Sequence, residues 1–144
     1  MKFLGYRYNI DFVHNLDGKG EVLSDLKNSD PALGLVDEDP TSYNKYPQLS
    51  NYEQMDQQHN LKLFKHKSVS NRYYIEIPEN LEIWFMRLAQ LNELELQSYQ
   101  VLDRRGKFKK KFGRKGEQKL HEFFTDICDQ PAFRTLEQWL KRYA

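Results

Sequence analysis

The chain has one cysteine, Cys128, in 144 residues. A single thiol excludes an intramolecular disulfide and any all-cysteine metal site, and it fits a reducing compartment. Long apolar runs are also missing: none approaches the roughly 20 residues that a membrane span needs. The opening residues 1–11, MKFLGYRYNID, lack the apolar h-region of a secretory signal. These absences lead to the expectation of a soluble, cytoplasmic protein with no membrane partner. Net charge is scarce too, at +1, so overall charge selects no ligand. The histidines, His14, His59, His66 and His121, fall in no H-x-x-x-H or H-E-x-x-H pattern, which argues against zinc. No G-x-S-x-G elbow marks a serine nucleophile. Cys128 shares the apolar side of an expected helix with Phe124 and Ile127, so it reads as core rather than nucleophile.

What is present is enough to fold. Aliphatic and aromatic residues recur along the whole chain, which suits one domain of ordinary size. Charge is unevenly placed. Residues 101–144 hold 12 Lys and Arg against 6 Asp and Glu, whereas residues 1–100 hold 10 against 15. An acidic body therefore carries a basic C-terminal part, an asymmetry that could guide an anionic ligand.

Periodicity divides the chain. Ile10, Phe12 and His14 alternate with polar neighbours and Val13 in NIDFVHNL, a strand pattern. DGKG breaks it, and EVLSDLKN (residues 21–28) spaces Val22, Leu23 and Leu26 as a helix does. ALGLVDEDP, starting at Ala32, reads as a buried strand. Strand, helix and strand in this order imply parallel strands with a right-handed crossover. Residues 40–60 are polar with two prolines and read as a surface excursion holding at most a short helix. LKLFKH (61–66) and RYYIEI (72–77) read as strands. Residues 79–99 read as one long helix with Leu81, Trp84, Phe85, Leu88, Leu91, Leu94 and Leu96 along its apolar stripe. A basic, flexible or hairpin-like loop follows, then amphipathic helices over 117–129 and 131–144, the second opening on Pro131.

Four features bear on function. Asp37 and Asp39 stand at the carboxyl end of a strand, where α/β sheets bind ligands. Two carboxylates two residues apart can hold a hard cation such as Mg²⁺, which could then stabilise a phosphate leaving group or activate water. The competing reading is an acidic turn before Pro40. Lys19 lies in DGKGE, whose glycines can free backbone N–H groups for an anion although they lack the Walker A spacing; a plain strand-to-helix turn is the favoured alternative. Glu79 and Glu82 fall in the first turn of the long helix, where carboxylates offset the helix dipole, and either could supply a third acid. Lastly, Arg104, Arg105, Lys107, Lys109, Lys110, Lys111, Arg114 and Lys115 crowd one stretch with Phe108 and Phe112 between them. Such a run can bind phosphates in a salt-dependent way while the aromatics stack on bases; a solvated loop is the alternative.

The order of a strand, LDGKGEVLSDLKN, ALGLVDEDP, a polar excursion, a strand and IPENLEIWF resembles small bacterial proteins of the Toprim-like group. That group includes nucleases of the overcoming-lysogenization-defect type. The resemblance covers roughly residues 8–90. It implies an α/β fold with a mainly parallel central sheet flanked by helices, Toprim- or Rossmann-like. Residues 1–98 would be the core, 99–116 the basic loop and 117–144 a helical extension packed on that core. It also implies Mg²⁺-dependent phosphodiester chemistry, with Asp37 and Asp39 as metal ligands and catalytic residues, joined by Glu82. The family's first glutamate has no counterpart here, because the chain begins too late to contain it. Two functions are therefore expected: a nuclease-type enzyme, or a non-catalytic module of a defence-type system that binds nucleic acid or protein. A homodimer or partner chain completing the sheet is the third expectation.

Overall fold

A computed structural model describes residues 32–38, 47–109 and 111–144. Among these residues run four strands, β1 (Ala32–Asp37), β2 (Tyr52–Gln58), β3 (Leu61–His66) and β4 (Arg72–Ile77), and three helices, α1 (Leu81–Leu91), α2 (Arg114–Ile127) and α3 (Pro131–Tyr143). Short 3-10 turns occupy Pro47–Asn51 and Leu96–Tyr99. The expected strand over residues 9–16 and helix over 21–28 lie outside the described residues.

The sheet is mixed, not mainly parallel. Its order is β1-β4-β3-β2, and only β1 and β4 run parallel; β3 is antiparallel to both neighbours. This corrects the Toprim- or Rossmann-like expectation, and connection length is the reason. His59 and Asn60 alone join β2 to β3, both with positive φ (51° and 65°), and Lys67–Asn71 join β3 to β4. Links this short can only reverse the chain, since a parallel crossover needs a dozen or more residues. The expected surface excursion over 40–60 therefore contains β2. A bulge between Gln54 and Asp56 interrupts its pairing with β3 and leaves Met55 without an opposite residue.

Strand alternation sorts the side chains onto two faces. Leu33, Leu35, Leu63, Ile75 and Ile77 point to the helices and join one cluster with Phe85 and Leu88 of α1, Phe123 and Phe124 of α2, and Phe133 and Leu136 of α3. All these side chains are almost fully buried, and each contributes about 1.5–3 kcal/mol by leaving water. The aromatic rings interlock: Phe85 meets Phe124 edge-on at 4.9 Å, and Phe124 stacks near Phe133 at 6.0 Å. The other face carries Phe64 stacked on Tyr74 at 4.5 Å, with Tyr52 edge-on to Tyr74 at 4.9 Å. Beside them Lys62 faces Glu76 at 3.8 Å.

The helix expected over 79–99 stops at Leu91. Glu93 adopts φ 54°, and a Schellman pair forms, with the Leu94 N–H donating to the Ala89 carbonyl (2.9 Å) and the Glu93 N–H to the Gln90 carbonyl (3.1 Å). Leu91, expected in the apolar stripe, is 70% exposed as a result. Pro131 does open the last helix, where its missing N–H costs no hydrogen bond. No helix among the described residues is long and apolar enough to cross a membrane.

Candidate functional site

Two regions gather the polar residues singled out from the sequence. The first lies where β1 ends against the start of α1. The Glu38 N–H donates to the Ile77 carbonyl (2.9 Å), carrying the parallel ladder one residue past Asp37. Asn80 caps α1 by accepting the Ile83 N–H at 2.9 Å. The Leu81 N–H in turn donates to the Asp37 carboxylate. A strand-end acid thus sits on the positive end of a helix dipole. Around it, Glu38 Oε2 accepts the Glu79 N–H at 3.4 Å, and Glu79 pairs with Arg87. Glu79 holds φ 58° at the corner between strand and helix.

The electrostatics of this corner are those of crowded acids. Asp37 keeps solvent contact, yet partial burial of its carboxyl raises the pKa, the neighbouring Glu82 carboxylate raises it further, and the Leu81 N–H opposes both. The structure therefore brings together Asp37 and Glu82, which are far apart in sequence. Asp39, the other half of the expected pair, lies outside the described residues, as does Lys19. Among the described residues, no group of three or more His, Cys, Asp or Glu is arranged to hold a metal ion.

The second region is the basic stretch, and it is an ordered hairpin. Leu102 and Phe108 form an antiparallel bridge, and the Lys109 N–H donates to the Val101 carbonyl (2.8 Å). Asp103 ties the tip. Its N–H donates to the Lys107 carbonyl (2.7 Å), and its Oδ1 accepts the N–H groups of Arg105 (2.8 Å) and Lys107 (3.0 Å). Those backbone donors, led by Lys107, hold the Asp103 carboxyl below the usual range. Gly106 closes the turn at φ 75°. Sequence reasoning missed Asp103, although Asp-Arg-Arg-Gly is a turn signature, with Asp at the first position and Gly at the fourth.

Phe108 corrects an expectation. It is 7% exposed and packs among Phe85 (5.7 Å) and Phe123 (5.8 Å), so it anchors the hairpin and does not offer a face to a base. Phe112 is half-buried, at 6.1 Å from Phe108 and over Gly116. Arg104, Arg105, Lys107, Lys111, Arg114 and Lys115 are exposed and Lys109 is half-buried; none forms an ion pair with a described residue. Lys110 lies outside the described residues. Gly113 is the N-cap of α2 and supplies no side-chain acceptor. Arg114 and Lys115 then occupy the first turn, where the dipole disfavours cations, and Glu117 is the acid there that offsets them.

Chemically, the first region can hold a proton or attract a cation, and the second can attract a polyanion. Comparison of the chain with family models, with curated proteins and with solved structures finds no match.

Proposed function

We propose that the protein binds nucleic acid through its phosphates, with the hairpin and the start of α2 as the gripping surface. The observation that carries this reading is the placement of Arg114 and Lys115. Cations in the first turn of a helix oppose its dipole, so the fold gains nothing from them there. The first N–H groups of any α-helix have no partner within the helix, which is what suits helix starts to phosphates. Arg104, Arg105, Lys107 and Lys111 extend the positive surface from the adjoining hairpin.

A second reading rests on a different observation, the charge of Glu82 acting on Asp37 at the start of α1. Two close carboxylates favour a divalent cation, and Mg²⁺ bound there with Asp39 would add phosphodiester cleavage of the Toprim-like kind to the binding function.

One titration tests both. Labelled DNA and RNA oligonucleotides are mixed with the protein across a salt series, with and without Mg²⁺ or Mn²⁺. Phosphate gripping predicts that log affinity falls linearly with log salt, and that Lys107→Gln, Lys111→Gln and Lys115→Gln together reduce the slope by about 2–3. No binding at low salt, or an unchanged slope in the triple variant, would sink the first reading. Cleavage that needs the metal and vanishes in Asp37→Asn supports the second; intact oligonucleotides in every metal-containing sample overturn it.

A further inference from the structure

The hairpin tip is too well held to be a generic cationic loop. Its backbone is tied twice through Asp103, once by the main-chain pair with Lys107 and once by Oδ1, which gathers two N–H groups. Its base is fixed by Phe108 in the core. Arg104 and Arg105 are therefore adjacent on a turn whose geometry is set before any ligand arrives. Pre-organisation of this kind lowers the ordering cost of binding.

Two features choose among nucleic acids. Proteins that grip single strands without sequence preference combine a cationic groove with aromatic faces on which bases stack. In this stretch Phe108 is buried and Phe112 is half-buried with one side over Gly116, so neither ring is fully exposed for stacking. A duplex suits the surface better. The second feature is reach. The exposed tip between Leu102 and Phe108 is short, residues 103–107, which is too little chain to lie along a major groove about 12 Å wide and 8.5 Å deep. Two arginine side chains can enter a minor groove about 6 Å wide while neighbouring lysines meet the phosphates at its rims. Runs of A·T pairs narrow that groove further and deepen its negative potential, which attracts arginine.

We infer that Arg104 and Arg105 form a prong for the minor groove of A·T-rich duplex DNA, held in shape by Asp103. This rests on the phosphate-binding reading above and specifies its partner. Shape, not base identity, is what the prong reads. Duplex RNA is a poor partner, because its minor groove is wide and shallow.

The test measures affinity for an A-tract duplex, a G·C duplex, a duplex RNA and a dT single strand at one salt concentration. The prong predicts that the A-tract duplex binds tightest, by about 10-fold over the G·C duplex, a gap within the range of one groove contact. Arg104→Gln with Arg105→Gln abolishes that preference and leaves weaker, unselective binding. Asp103 separates shape from charge. Electrostatics alone predicts that Asp103→Ala and Asp103→Asn act alike, tightening every duplex. The prong predicts that Asp103→Ala loses the A-tract preference while Asp103→Asn, whose Oδ1 still accepts both N–H groups, keeps it. Equal binding of the two DNA duplexes, or tighter binding of the RNA or the single strand, overturns the prong and leaves phosphate gripping intact. Binding of none of the four at low salt removes both.

Discussion

His66 shows how one side chain can hold a turn. Its Nδ1 accepts the backbone N–H groups of Ser68 (3.1 Å) and Val69 (3.0 Å), so the ring closes the start of the β3–β4 link. Tyr52 packs on it at 5.0 Å. Partial burial lowers its pKa below the usual 6.5, and the positive charge of Arg72 lowers it further. A proton on Nδ1 would remove the acceptor for both N–H groups. The folded state thus binds this proton less readily than the unfolded chain. The stabilisation is present above pH 6.5 and is lost as pH falls through the folded-state pKa. NMR titration of the imidazole is expected to give a midpoint below 6.5, with the Ser68 and Val69 amides moving at the same midpoint; a midpoint at or above 6.5 would contradict it. Other residues were less legible in the sequence. Phe108 sits among lysines and reads as exposed until Phe85 and Phe123 are brought beside it by the fold. The meeting of Asp37 with Glu82 depends likewise on β1 pairing with β4, which feeds directly into α1.

Single elements were easier to read than their partners. β3 and β4 follow from their apolar, β-branched and aromatic composition, and the amphipathic helices from periodicity, because each helix buries one face. β2 was hidden because it buries only Tyr52, and its remaining side chains are mostly exposed and, Met55 apart, polar. Its turn carried a signal in Asn60, a residue that tolerates positive φ, but the tie to a strand on each side was not apparent from YEQMDQQ. The end of α1 was hidden for a related reason: the residue in the left-handed position is Glu93 and not glycine. A side chain there carries a steric cost that glycine avoids. Glu93→Gly is expected to stabilise the protein by about 0.5–1 kcal/mol in urea denaturation, the strain relieved less the backbone entropy of glycine. A destabilised variant would show that the Glu93 side chain does more at this corner than end a helix.

At the scale of the molecule, the acidic and basic regions belong to a single folding unit. The acids of the β1–α1 corner and the cations of the hairpin and α2 are attached to one cluster of buried side chains, shared by the sheet and all three helices. The direction of the strands was the part of the fold that the sequence misled on. Reading ALGLVDEDP as the second strand of a βαβ unit extended parallel pairing to strands that short links force to reverse. One detail of that sheet bears on how the protein behaves in concentrated solution. With a net charge of +1, copies of the chain repel one another little. Among the described residues β1 and β2 are the two outer strands, and the outer edge of β2 would be a template for another strand. The extra residue at Met55 spoils that template by breaking the regular spacing of the edge. At this edge, a kink rather than charge is therefore expected to oppose pairing between copies. Deleting Met55, which puts Gln54 and Asp56 in uninterrupted register with Phe64 and Leu63, is expected to raise light scattering at high concentration without loss of sheet by circular dichroism. Unchanged scattering would assign its dispersal to another surface.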